Sequence, residues 1–132
     1  MDLRQFIHKI PKTETHLHIE GALPWTFLKN LNPAKYPGVP FFRSPDFRYE
    51  NFTQFESILI EHALEIFKSA EDYHQVAASV FKEARRQNIC YLETSFHAGM
   101  IEFLKIPGKE ILEAIKSAAP PGFRAPSVSG YE

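Results

Sequence analysis

The sequence predicts an α/β fold of the (β/α)8 barrel type, with only the first strands and helices of such a barrel present. Three observations lead there. Residues 13–23 and 89–96 alternate in the two-residue period of strands. Helix-forming stretches separate them, long enough for a crossover between parallel strands. Each strand has one largely apolar face and one face carrying polar groups. An open doubly wound sheet is the competing architecture, but it buries both faces of its strands, which then read as continuous apolar runs. No Gly-x-Gly-x-x-Gly or P-loop follows either strand, so the nucleotide-binding versions of that sheet lack their main sign.

The chain-wide properties fit one such unit. Its 132 residues suffice for a single domain and one core, taken as 1–132. A formal net charge of -1 gives no electrostatic reason to expect nucleic acid or an anionic membrane as a partner. Cys90 is the single cysteine, so no intrachain disulfide forms and a reducing cytoplasm is the simpler location. The first residues lack the apolar run of a signal peptide, and no stretch reaches the roughly 20 apolar residues of a membrane helix.

In chain order, Asp2 is placed to cap a short helix over 3–9, with Leu3, Phe6, Ile7 and Ile10 on one apolar face; Pro11 ends it. The strand from Thr13 follows. Alternation puts Glu14, His16, His18 and Glu20 on one face and Thr15, Leu17 and Ile19 on the other. Gly21 then offers a turn or a close approach to the backbone. Pro24 reads as the first residue of a helix over 24–30. The four prolines of 32–50 mark a long irregular loop, of the kind used as a lid or a binding loop. Asn51 caps a helix over 52–68, of which only the first turn, with Phe52 and Phe55, is a pocket candidate; the rest of its apolar stripe reads as core. Ser69 or Asp72 starts a second long helix to about residue 88, with a stripe of Tyr73, Val76, Ala77, Val80, Phe81 and Ala84. In the strand at 89–96, Cys90 falls on the apolar face with Leu92, Thr94 and Phe96 and reads as a buried structural thiol. A loop with Gly99 and Gly108 leads to a helix over about 107–118. Pro120, Pro121 and Gly122 break the chain before an irregular tail at 123–132.

The chemistry centres on His16 and His18. Imidazoles two residues apart on a strand offer two adjacent metal ligands from a rigid support, and zinc accepts such nitrogens readily. Two ligands do not complete a site, so at least one more must come from elsewhere. Glu14 and Glu93 point inward, where each can hold a histidine's second nitrogen or make a structural hydrogen bond. His62 and His74 read as surface or satisfied polar residues on helices.

The run from Pro11 to Leu23, Pro-Lys-Thr-Glu-Thr-His-Leu-His-Ile-Glu-Gly-Ala-Leu, resembles the first strand of the adenosine/adenine deaminase family, within the metal-dependent amidohydrolase superfamily. Residues 51–55, Asn-Phe-Thr-Gln-Phe, resemble the start of the helix that covers its pocket. Residues 88–96, Asn-Ile-Cys-Tyr-Leu-Glu-Thr-Ser-Phe, resemble its second strand. The resemblance spans residues 1 to about 122 and implies the N-terminal part of a (β/α)8 barrel that binds Zn2+ at its C-terminal mouth. It implies hydrolysis of a purine 6-amino group to the 6-oxo form with release of ammonia, by addition of a metal-activated water. The resemblance leaves the purine open as a base, a nucleoside or a nucleotide. The implied metal ligands are His16 and His18. The implied substrate contacts are Glu20, Phe52 and Phe55, with His97 at the rim, where the sequence Ser-Phe-His-Ala departs from the family's pattern. The glutamate at 20 is one methylene longer than the aspartate of adenosine deaminases, which opens the range of purines.

No catalytic acid or base is identified in this chain. A whole barrel takes about 250 residues, and the family's third zinc histidine and its acid and base groups lie in later strands. The 132 residues alone are therefore expected to be inactive. A catalytically inactive fragment, or another hydrolase of the amidohydrolase superfamily, stands as the alternative.

Overall fold

The computed structural model describes residues 1–121 and shows an α/β arrangement. Six α-helices, α1 (Leu3–Lys9), α2 (Trp25–Leu31), α3 (Phe52–Ile66), α4 (Ala70–Arg86), α5 (Gly99–Leu104) and α6 (Gly108–Ser117), accompany two strands, β1 (Lys12–His18) and β2 (Ile89–Ser95). The strands pair in parallel, as the long crossover requires. The irregular tail expected at 123–132 lies outside the described residues.

Local signals set most boundaries. Asp2 and Gln5 form a reciprocal capping box at α1. Asn51 and Ser69 cap α3 and α4 by accepting the backbone N–H groups of Gln54 and Asp72. Pro24 is the N-cap of α2 rather than its first residue, because its ψ of 134° is extended. Helix α5 was expected as loop. Its six residues are too few for a periodic signal, and it starts without a side-chain cap. Lys105, at φ 56°, ends it in the left-handed region.

The core lies between the sheet and the helices. Val76, Ala77 and Phe81 of α4, Ile111 and Ile115 of α6, and Leu92 of β2 are all buried in one cluster. The stripe expected on α4 is the stripe observed. His74 Nδ1 lies 2.9 Å from the Ser117 hydroxyl, tying α4 to the end of α6. The apolar side of α1 behaves otherwise: Leu3, Phe6 and Ile7 are exposed.

Two expectations about the strands are corrected. Between Glu14 and Leu17, β1 spends three residue steps against two on β2, since Glu14 pairs with Leu92 and Leu17 with Thr94. This bulge breaks the alternation. Glu14 therefore falls in register with buried Leu92 and leaves the face it was expected to share with His16 and His18. Cys90 is exposed rather than buried. It sits at the entering end of β2, beside the left-handed turn at Asn88, with its Sγ 3.6 Å from the Asn88 carbonyl.

At the end of α4, Glu83 accepts two hydrogen bonds from the Arg86 guanidinium, at 2.8 and 2.7 Å, and one from the Gln87 amide. Arg86 first, then Gln87, hold its carboxyl down to about 2. A depressed carboxyl contributes stability that is complete above its unfolded pKa and fades as pH falls toward the folded value. Glu83→Gln should therefore remove part of the acid destabilisation between about pH 4.5 and pH 2, read from melting temperatures across that window. Equal acid slopes in the two proteins would refute this.

Candidate metal and substrate site

The end of β1 brings the two histidines together. Their Nε2 atoms are 3.1 Å apart, with ring centroids at 5.1 Å. A tetrahedral zinc with nitrogens at 2.0–2.1 Å places two ligand nitrogens about 3.3 Å apart. The pair thus has nearly the bite of two ligands on one ion, and both rings are exposed to receive it. The bulge contributes to the arrangement: the Glu14 carboxylate turns back and accepts the His16 backbone N–H at 3.0 Å. Glu14 therefore braces the main chain of a histidine and not its ring. Glu93 is likewise taken up locally, by the Tyr91 hydroxyl. Among the described residues no group of three or more His, Cys, Asp or Glu side chains is arranged to hold a metal. His16 and His18 fit two positions on an ion and need further ligands.

Beyond His18 the chain leaves the strand, and Glu20 sits in the following turn, 8% exposed. Its Oε1 accepts from the Tyr73 hydroxyl at 2.8 Å and from the His97 backbone N–H at 3.0 Å. Its Oε2 is buried and has no hydrogen-bond partner among the described residues. Burial, followed by the neighbouring Glu20, pushes the Tyr73 phenol far above its ordinary pKa, so it is a fixed donor. A buried carboxylate oxygen left without a donor is costly, and a ligand that supplies one removes that cost.

Glu20 and His18 line a cavity of about 590 Å³ whose wall also includes Phe52, Phe55 and His97. Every sequence-derived substrate residue therefore borders this space, and His16 meets it through His18. The His97 ring packs over Gly99, where an added Cβ would stand 2.8 Å from the imidazole Nε2. A chain of rings leads to this wall, of which Tyr49 and Phe55 line the cavity. Phe41–Phe47, Phe47–Tyr49 and Tyr49–Phe55 meet edge to face, with centroids 4.9 to 5.3 Å apart. The proline-rich loop is thus built onto α3 by aromatic contacts.

The sequence reading of α3 was too narrow. Ile58, Leu59, His62 and Ile66 also line the cavity, so the helix faces it along its length and not only at its first turn. His62 and Arg43 are cavity residues that sequence reasoning missed. Arg43 donates to the Leu23 carbonyl, and burial draws its guanidinium below the ordinary value. Spacing does reveal one of them in retrospect: His62 falls seven residues after Phe55, on the same helical face.

No protein-family profile matches the chain. An adenine deaminase from Wolinella succinogenes is 28% identical over 136 residues, covering 98% of this chain and 40% of that protein. Two solved structures share the fold. An amidohydrolase from Burkholderia ambifaria with bound Zn aligns with TM-score 0.62 and 18% identity, covering 96% of this chain and 35% of that one. Arabidopsis ADAL complexed with IMP aligns with TM-score 0.64 and 19% identity, covering 97% and 37%. The chain spans about two-fifths of the length of the curated relative and less of the solved ones. The chain is similar to the adenosine/adenine deaminase family over part of that family's length.

Proposed function

We propose that this chain carries half of the zinc site and part of the substrate pocket of a hydrolytic purine deaminase built on a (β/α)8 barrel. The observation that carries the reading is a juxtaposition. Two Nε2 atoms with the bite of a zinc ion stand at the edge of a cavity with aromatic walls and an unpartnered carboxylate oxygen. The relatives support the same reading: an adenine deaminase, an amidohydrolase with bound Zn and a protein complexed with IMP.

His16 and His18 would hold the ion, which when bound activates a water for addition at carbon 6 of the purine. The net reaction exchanges the 6-amino group for a 6-oxo group, consuming one water and releasing one ammonia. Phe52 and Phe55 offer ring faces to the flat purine and keep bulk water from it. Glu20 offers Oε2 to a donor on the ligand, while Tyr73 and the His97 N–H fix its position. The His97 ring closes the rim. The further ligands and the acid and base groups must join these residues for turnover, so the 132-residue chain alone is expected to bind purine without deaminating it.

Calorimetric titration of the zinc-loaded chain with hypoxanthine, inosine, cytosine and cytidine tests the pocket. One of the purine compounds should bind at least about tenfold more tightly than the matching pyrimidine, because a larger ring system stacks on more aromatic surface. Equal affinity for purine and pyrimidine, or no purine binding, would overturn the proposal.

A further inference from the structure

Tyr36 is buried, yet its hydroxyl has one proton and two close neighbours. The Glu65 carboxylate lies 2.9 Å away and also holds the Lys35 ammonium. That hydrogen bond from Lys35 keeps Glu65 below the usual carboxylate range, so Glu65 is ionised and only accepts. The Tyr36 proton therefore goes to Glu65. His62 Nδ1 is 2.8 Å from the same hydroxyl oxygen and must be the donor in that contact. Burial lowers the His62 pKa, which favours the neutral ring. A neutral imidazole has one N–H. With that proton on Nδ1, Nε2 is left as a bare lone pair.

The position of the ring gives this lone pair a use. His62 borders both the 590 Å³ cavity and a second one of about 480 Å³ formed with the loop from Lys35 to Phe42. His18, Glu20 and His97 border only the first. Phe42 flanks the ring at 4.7 Å and limits its rotation. A ligand that turns its 6-position toward His16 and His18 presents its opposite end, at N9, to the rest of the cavity.

We propose that His62 Nε2 is a specificity-determining acceptor for a hydrogen-bond donor at the N9 end of the purine, an inference that rests on the deaminase reading above. That donor is N9–H in a free base and a sugar hydroxyl in a nucleoside. Lys35, Glu65 and Tyr36 are positioning residues, which act by fixing the His62 tautomer.

Hypoxanthine, inosine and 9-methylhypoxanthine separate the possibilities, since all have the product-type ring and the last has neither donor. Titrated into the zinc-loaded protein, 9-methylhypoxanthine should bind about tenfold more weakly than one of the others, the usual worth of one hydrogen bond to an otherwise unpaired acceptor. A tighter hypoxanthine identifies N9–H, and a tighter inosine identifies the sugar hydroxyl. His62→Phe should erase the difference, and His62→Gln, which retains an acceptor, should restore part of it. Equal affinity for all three compounds, or a ranking unchanged in His62→Phe, would overturn the assignment of His62 alone. If none of the three binds, the purine reading falls and this assignment falls with it. Nitrogen-15 NMR of the unmodified protein provides an independent check that needs no variant: Nε2 should be unprotonated in the free state and shift on binding. A protonated Nε2 in the free protein would refute the proposal.

Discussion

Replacing His16 and His18 together by alanine should lower zinc affinity by more than about 100-fold, beyond the 10- to 100-fold typical of losing a group that merely supports a ligand. The fold should scarcely respond. Both side chains are exposed, and exposed substitutions away from special features change stability by about 0.5 kcal/mol or less. Competition with a chromophoric chelator measures the first quantity and chemical denaturation the second. Each single variant should also lose affinity, because the 3.1 Å pair acts as one bidentate unit. Unchanged zinc affinity in the double variant would remove both ligand assignments.

Phe67→Ala should be among the most damaging substitutions to stability. Phe67 is fully buried at the junction of α3 and α4, and its ring lies 4.3 Å from that of Tyr73. Truncating a buried phenylalanine costs about 3–5 kcal/mol, a large part of the 5–15 kcal/mol that holds a typical domain together. The damage should reach the site as well, since Tyr73 donates to Glu20 and loses its packing partner. Phe55→Ala is the control. Its side chain is 38% exposed and lines the cavity, so it should cost much less stability while weakening purine binding. Urea denaturation of the two variants decides the matter. A larger loss for Phe55→Ala would mean that the division between core and pocket has been drawn wrongly.

Features written in local chemistry were legible before the structure. Asn51 and Ser69 cap their helices because a short polar side chain can satisfy free N–H groups within one turn, and both neighbours in sequence are present to be read. The α4 stripe was legible because seventeen residues repeat one period many times. The pairing of His16 with His18 needed only strand geometry. Features set by distant partners were not legible. The bulge before Leu17 depends on register with β2, about 75 residues away, and it moved Glu14 off the expected face. His62 shares the helical face of Phe55, but its contact with Tyr36 of the proline-rich loop has no local sign. Cys90 alternates correctly but lies at the end of the strand, beyond the reach of alternation as a guide to burial.

The deaminase reading meets its most direct test in ammonia release. The zinc-loaded protein, at its full natural length, should release ammonia from at least one of adenine, adenosine, AMP and N6-methyl-AMP or the corresponding amine from the last. The His16→Ala, His18→Ala double variant should release none. Absence of release from the whole set by the zinc-loaded protein, or equal release by the double variant, would contradict the account.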